Sequence, residues 1–149
     1  MKIVILGAGA VGSTLASLLC QENDLVVVDH NSSELHRLEE EADIKTLTGG
    51  ASYPNILVNA GIQEADMVVA VTGSDETNIV SCMVAKVLNK SIKTIARVRE
   101  ISYLKGKTKE AMDSGEIPVD IHISPEQLIT EHIQGLIEIP GSLQVMEFG

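Results

Sequence analysis

Ile3-Val4-Ile5-Leu6-Gly7-Ala8-Gly9-Ala10-Val11-Gly12 joins a short apolar run to a glycine-rich turn and then to a segment of helical character. A second apolar run, residues 25–28, ends in Asp29. In a strand–turn–helix unit the first glycine permits a tight turn, the second lets a pyrophosphate approach the backbone, and the third lets the helix pack closely. An acidic residue about 20 positions further on accepts hydrogen bonds from a ribose diol. The spacing therefore predicts a nucleotide-binding βαβ unit, with a purely structural turn as the alternative.

The composition limits the classes of protein to which the chain can belong. Its 149 residues fit one domain with a core, and 44% of them are hydrophobic. The formal net charge of −10 argues against unaided binding to nucleic acid or to anionic lipid. Cys20 and Cys82 lie in apolar helical patterns, so we expect free thiols and a reducing, cytoplasmic setting. The four histidines show no metal-ligand spacing, so no metal site is expected.

Strand and helix patterns alternate along the chain. This alternation predicts an α/β fold with a doubly wound, parallel, six-stranded sheet of the Rossmann type, in the order 3-2-1-4-5-6. The six expected strands cover residues 3–6, 25–28, 44–48, 67–71, 94–98 and 119–123. Ligands of such sheets bind at the carboxyl ends of the strands, where the strand order reverses. We therefore expect the site beside strands one and four.

Two further helices carry signals of their own. Ser74 or Asp75 is expected to cap a long helix that ends near Leu88. Its apolar stripe is predicted to face the core, with a partner surface as the alternative, and consists of Ile79, Val80, Met83, Val84 and Val87. Ser124, Pro125 and Gln127 form an N-cap, N1-proline and capping-box pattern for a last helix, which reaches about Ile137 and is ended by Pro140-Gly141.

The residues after the predicted second strand indicate which nucleotide is preferred. Asp29 is followed by His30 and Asn31, not by an arginine that could pair with a 2′-phosphate. An aspartate would also repel that phosphate. The sequence therefore favours NAD(H) or an adenine nucleotide over NADP(H).

Polar residues also follow strands four and five. The hydroxyls of Thr72 and Ser74 are placed to reach a ribose or phosphate, although helix capping alone would also explain this turn. Arg97 and Arg99 fall on one side of strand five, because side chains alternate along a strand. Arg97 lies nearer the middle of the sheet and needs an anion: a phosphate, a nearby carboxylate, or a group on another subunit. A buried structural ion pair is the alternative.

Together these motifs resemble the N-terminal nucleotide-binding (RCK/KTN) domains of Trk potassium uptake regulators. The strongest match is the run Ala-Asp-x-Val-Val-Ala-Val-Thr-x-Ser-Asp-Glu-x-Asn at residues 65–78. Further matches lie at residues 1–28, 95–99, 123–127 and 138–141. After strand three, many relatives carry an acidic or polar residue where this chain has Gly50. That difference puts the contacts of residues 49–52 in doubt.

The resemblance implies regulation and not catalysis. Such a domain binds NAD(H), with ATP and ADP as competing ligands, and assembles as a homo-oligomer, a dimer or tetramer. It opens or closes a membrane-embedded Trk-type potassium transporter, and through that partner it lies in the cytoplasm at the inner face of the cell membrane. A nucleic-acid partner is not expected. The last helix would be a hinge or dimer element.

The resemblance also assigns roles to residues of this sequence. The glycine turn would hold phosphates, Asp29 the adenosine ribose, and residues 72–74 one side of the cleft, with Arg97 meeting phosphate charge. The full set of nucleotide contacts is Gly7, Gly9, Ala10, Val11, Gly12, Asp29, His30, Gly49, Ala51, Thr72, Gly73, Ser74, Asp75 and Arg97.

Domain limits follow from the same resemblance. Residues 1–140 are expected to form the nucleotide-binding domain, and residues 141–149 to be a linker or the start of a missing C-terminal subdomain. We interpret the chain as a regulatory fragment, with a naturally short single-domain subunit as the alternative.

Two enzymatic alternatives stay open. Residues 1–16 also resemble the opening of ketopantoate reductase, an NADPH-dependent dehydrogenase. That enzyme needs a basic residue near Asp29 and a helical catalytic domain, and the sequence has neither. A methyltransferase-like domain that uses S-adenosylmethionine would fit the acidic end of strand two but not the glycine spacing.

Overall fold

The structure is a computed structural model and describes residues 1–124. Six parallel strands form one sheet in the order β3-β2-β1-β4-β5-β6. The strands are β1 (Lys2–Leu6), β2 (Asp24–Asp29), β3 (Lys45–Thr48), β4 (Met67–Ala70), β5 (Lys93–Arg97) and β6 (Ile121–Ile123). The doubly wound fold and its strand order are thus confirmed.

Within residues 1–124, five helices alternate with the strands, as the sequence predicts. They are α1 (Ala10–Leu19), α2 (Ser32–Glu41), α3 (Pro54–Asn59), α4 (Asp75–Leu88) and α5 (Gly106–Ser114). Two short 3-10 helices, Ile62–Glu64 and Ile101–Leu104, add to them, so the helix expected over residues 101–114 begins as a 3-10 turn. The last predicted helix and the residues 141–149 lie outside the described residues.

The sheet separates two hydrophobic layers. On one face, α1 and α2 pack through Leu15, Leu19 and Leu35 onto Ile3 and Ile5 of β1. On the other face, α3 and α4 pack through Leu57, Cys82 and Ala85 onto the alternate residues Val4 and Leu6. Since β1 and β4 contact both layers, their residues from Ile3 to Leu6 and from Met67 to Ala70 are apolar and buried, as is typical of strands covered on both faces.

The predicted core stripe of α4 is wrong. Val80, Met83 and Val87 are 41%, 47% and 75% exposed, and Ile79 and Val84 are only half-buried. The residues that α4 buries are small or polar: Asn78, Ser81, Cys82 and Ala85. Polar residues can occupy this inward face because hydrogen bonds satisfy them; Ser81 Oγ, for example, donates to the carbonyls of Ala51 and Thr77.

The strand register brings the functional residues to one edge. Leu6 at the end of β1 pairs with Val28 and Ala70, and Asp29 pairs with Thr48. The glycine turn, Asp29 and the residues after β4 therefore meet at the carboxyl edge. Between β1 and β4, neighbouring connections leave toward opposite faces of the sheet, and a crevice opens there.

Candidate functional site

A cleft of about 610 Å³ opens at this edge, a size in the usual range for small-ligand sites. Its walls come from the β1–α1 turn, the end of β2, the turn after β3, the β4–α4 turn and the end of β5. The lining residues are Gly7, Gly9, Ala10, Val11, Val28, Asp29, His30, Gly50, Ala51, Ser52, Tyr53, Val71, Thr72, Gly73, Ser74, Thr77 and Arg97.

The three glycines of the first turn have different surroundings. Gly7 has a φ of +109°, which side-chain-bearing residues rarely adopt. A Cβ on Gly12 would lie 1.8 Å from the carbonyl oxygen of Gly7, so α1 can approach β1 only without that side chain. A Cβ on Gly9 would meet nothing within 4 Å, because Gly9 borders the open cleft. Gly7 and Gly12 thus shape the turn, whereas Gly9 faces open space in the cleft.

Asp29 fixes the glycine turn to the end of β2. Its Oδ2 accepts a hydrogen bond from the Ala8 N–H at 2.7 Å, and its Oδ1 accepts one from the Asn31 N–H at 2.8 Å. The side chain is 13% exposed, and His30 Nδ1 lies 3.5 Å from Oδ1. Because a carboxylate offers about four acceptor positions, Asp29 retains capacity for a ribose diol.

Asn78 connects the turn after β4 with the end of β5. It is fully buried, and its Oδ1 accepts hydrogen bonds from the Thr72 N–H at 3.0 Å and the Thr72 hydroxyl at 2.6 Å. Its Nδ2 donates to the carbonyls of Thr72 and Arg97, at 3.2 and 2.9 Å. Sequence reasoning missed this role. The sequence signal that could have indicated this role is the position of Asn78, an amide residue, on the face of α4 that packs against the sheet.

Ser74 and Asp75 carry structural duties at the start of α4. Ser74 Oγ accepts the Thr77 N–H at 3.1 Å, so Ser74 is the N-cap and Asp75 is the first helical residue. The Asp75 carboxylate accepts the backbone N–H groups of Arg99 and Glu100, at 3.0 and 2.7 Å. Arg99 Nη2 donates to the carbonyl of Gly73 at 2.7 Å. These contacts fasten the β4–α4 turn to the segment that follows β5.

Arg97 gives the cleft its cationic wall. It is the last residue of β5, is half-buried, and lines the cleft. Among the cleft residues that the structure describes, it carries the only permanent positive charge. A guanidinium at this position suits a phosphate group, because it can donate two parallel hydrogen bonds.

Most of the predicted contact residues meet in this one cleft. Gly7, Gly9, Ala10, Val11, Asp29, His30, Ala51, Thr72, Gly73, Ser74 and Arg97 all line it. Gly12, Gly49 and Asp75 lie behind the lining, where Gly12 packs on Gly7, Gly49 on Ile56, and Asp75 on the segment after β5. The prediction omitted six lining residues, Val28, Gly50, Ser52, Tyr53, Val71 and Thr77, of which residues 50–53 follow a strand end at the same edge.

Residues 1–124 contain no group of three or more metal-ligating side chains. None of the helices described in that range is both long and apolar enough to cross a membrane.

Comparison with known proteins defines the family. The model of the TrkA-N domain matches residues 3–125. The chain belongs to the TrkA-N domain family. The match covers the whole cleft described above, so the predicted resemblance is confirmed.

Curated TrkA-N relatives extend this result beyond the single domain. The chain is 50% identical to the Trk system potassium uptake protein TrkA of Halomonas elongata over 149 residues, which are 99% of the chain and 32% of that protein. It is 49% identical to TrkA of Vibrio alginolyticus, again over 99% of the chain and 32% of the relative. The chain thus spans about a third of these relatives. Their name is that of potassium uptake proteins, in agreement with the predicted regulatory, non-enzymatic role.

Solved structures share the TrkA-N fold at low identity. The TrkA-N domain of the inner membrane protein ybaL from Escherichia coli superposes with a TM-score of 0.70 at 20% identity, covering 91% of this chain and 96% of that one. The GsuK channel bound to NAD gives 0.67 at 23% identity, over 82% and 21%. The AMP-bound Kef C-terminal domain of Shewanella denitrificans gives 0.67 at 18%, over 99% and 87%.

Proposed function

We propose that this TrkA-N domain senses cytoplasmic nucleotides, binding NAD(H), ATP or ADP in the β1–β4 cleft, and that it regulates a membrane-embedded Trk-type potassium transporter. The observation that carries the proposal is the open space at Gly9, in a cleft that Asp29 and Arg97 also line. A phosphate at Gly9 would face the N-terminus of α1, whose unpaired N–H groups and dipole favour anions.

The charges of the cleft support the choice of ligand. Asp29 retains acceptor capacity for an unmodified ribose, whereas a 2′-phosphate at the same position would meet a negative charge. NADH and ATP share the adenosine and first phosphates and differ beyond them, on the side where Arg97 lies. The GsuK channel bound to NAD and the AMP-bound Kef domain agree with such a ligand class.

Regulation requires that the ligand distinguish two conformations. A nucleotide shifts an equilibrium only when it binds the two states unequally, and a tenfold shift corresponds to about 1.4 kcal/mol. In this domain the Asn78 and Asp75 contacts join the β4–α4 turn to the end of β5 and to the segment after it. A ligand that moves Thr72 or Arg97 therefore acts on both elements together.

If the domain self-associates, contacts between its copies transmit such a conformational change to other subunits. Val80, Met83 and Val87 form an exposed apolar row on α4 with the 3- and 4-residue spacing of a helix-packing face. Glu76 lies at one end of the row and Lys90 follows the other end. When two α4 helices pair antiparallel about a twofold axis, these opposite charges come together. We therefore take a second copy of this chain as the occupant of the row.

The experiment that tests regulation is a chimera. The aligned third of the Halomonas elongata TrkA protein is replaced by this chain, and potassium uptake is measured in cells that lack their own TrkA. The proposal requires the chimera to restore potassium uptake. The same chimera with Gly9→Ala, present at equal abundance, should lose the control of potassium uptake by nucleotides. An abundant, folded chimera that leaves uptake at the level of the empty cells would contradict the proposal.

A further inference from the structure

Tyr53 occupies an unusual place for an aromatic residue of this chain. The sequence has one phenylalanine, two tyrosines and no tryptophan. Tyr103 packs against the hydrophobic layer under α4, whereas Tyr53 is 61% exposed and lines the cleft. It precedes α3 and lines the cleft together with Asp29 and His30, which lie at the end of the neighbouring strand β2. Because the Tyr53 ring is exposed in the cleft, core packing does not account for its position.

Gly50 determines where this ring lies. A Cβ on Gly50 would approach Cδ2 and Cε2 of the Tyr53 ring to 2.8 Å, so the ring lies directly on the glycine backbone. The Tyr53 N–H also donates to the Gly50 carbonyl at 3.2 Å, which closes the turn under the ring. Any side chain at residue 50 would push the ring away from this position.

The position of Asp29 indicates what the ring would meet. In a nucleotide the ribose lies between the phosphates and the base. With phosphates at Gly9 and the ribose at Asp29, the base extends toward His30, the turn at residues 50–52 and Tyr53. An aromatic ring there offers a purine base a stacking surface, which is sequence-tolerant because every base has a π-face.

We propose that Tyr53 is the base-stacking residue of the cleft and that Gly50 is the residue that permits its placement. This inference rests on the proposed nucleotide site and assigns to it a contact for the base. The ligand class is a purine nucleotide, and the base contributes affinity through the aromatic face in addition to the phosphate and ribose contacts. Removal of an aromatic partner from a stacked base weakens binding about 5- to 100-fold.

Tyrosine fluorescence observes this contact directly because the chain has no tryptophan. In the Tyr103→Phe variant, Tyr53 is the remaining tyrosine. Titration of that variant with AMP should quench the emission in a saturable manner. Parallel additions to free N-acetyltyrosinamide correct for absorption by the adenine ring. Calorimetry on the same samples shows whether AMP binds at all.

Matched variants separate stacking from folding. Tyr53→Leu should lower the affinity for AMP about 5- to 100-fold and leave that for ribose 5-phosphate unchanged, whereas Tyr53→Phe should retain AMP binding. Gly50→Ala should weaken AMP binding by displacing the ring. Circular dichroism verifies that each variant is folded.

The outcomes distinguish the two levels of the proposal. AMP that binds by calorimetry but neither quenches Tyr53 nor loses affinity in Tyr53→Leu overturns the stacking role and leaves the nucleotide site intact. If AMP, NADH and ATP all fail to bind the unaltered chain, the proposed function fails, and the stacking role fails with it.

Discussion

At the scale of single residues, different glycines of the first turn are expected to serve folding and ligand binding. Gly9→Ala should leave the free energy of unfolding within about 0.5 kcal/mol, because the added methyl group meets no atom of the protein. It should weaken NADH and ATP binding at least about tenfold, because that methyl group occupies the phosphate space. Urea denaturation and calorimetry measure the two effects.

Gly12→Ala is the matched comparison on the same helix. Its Cβ would overlap the Gly7 carbonyl, so we expect a loss of about 2–3 kcal/mol in the free energy of unfolding. Equal destabilisation by both alanines would refute the distinction between a ligand-facing and a packing glycine.

Asn78 provides a second residue-scale prediction. Asn78→Ala leaves the Thr72 and Arg97 backbone groups without their buried partner, so we expect about 2–4 kcal/mol of destabilisation and weaker nucleotide binding. Asn89→Ala is the control. That asparagine also donates to two carbonyls, those of Ile62 and Ala65, but it lies away from the cleft. It should destabilise the domain and leave nucleotide affinity unchanged, as measured by calorimetry well below the melting temperature.

Ionisation of Cys82 makes the free energy of unfolding depend on pH in the alkaline range. Burial raises the pKa of its thiol to about 12 from an ordinary 9.0; the Asp120 carboxylate adds to the increase and Lys86 opposes it. Below pH 9 the thiol is protonated in both states. Above it the unfolded chain releases the proton and the folded chain does not, so stability falls as pH rises. Between about pH 8 and pH 10 the unaltered chain should lose about 1.4 kcal/mol more than Cys82→Ala in urea denaturation. Parallel curves would contradict this.

At the scale of elements, α4 shows where a sequence pattern misleads. Apolar periodicity predicted that Val80, Met83 and Val87 face the core, yet these side chains point outward. The pattern identifies an apolar face but not what covers it. The inward face could not be recognised from the sequence because it contains Asn78 and Ser81, and polar residues are usually assigned to the surface. Hydrogen bonds satisfy both side chains in the interior.

The outward row of α4 leads to a prediction about assembly. Met83→Lys should shift a dimer toward monomer in sedimentation velocity, because it places a charge at the centre of the proposed twofold contact. Leu18→Lys on α1 is the control, since Leu18 and Met83 are each 47% exposed. Both variants should keep the circular dichroism of the unaltered chain. A sedimentation profile that Met83→Lys leaves unchanged would eliminate α4 as the interface.

The cleft was predictable to the extent that its residues follow strand ends. Glycine spacing and the predicted strand order are sufficient to bring Gly9, Asp29 and Thr72 to one edge, where the cleft lies. Tyr53 and Asn78 were missed because their roles depend on distances between segments: the Tyr53 ring rests on Gly50, and the Asn78 amide reaches Arg97 from another element. Local spacing in a sequence contains no such distances.

At the scale of the whole molecule, the fold followed from alternation alone. Six apolar runs separated by helical segments, with right-handed crossovers, permit few sheet orders, and the observed order is the one expected. The family match then connects this sheet with Trk potassium uptake proteins, of which the chain represents about a third. The central claim is therefore a competitive nucleotide site in the β1–β4 cleft.

Calorimetric titration of the chain with NADH, NAD, ATP, ADP and NADPH, each alone and in competition, tests that claim most directly. The account predicts that NADH and the adenine nucleotides displace one another from one site, that NADPH binds weakly, and that Gly9→Ala weakens all of them. Binding of NADPH in preference to NADH, or undiminished binding to Gly9→Ala, would contradict it.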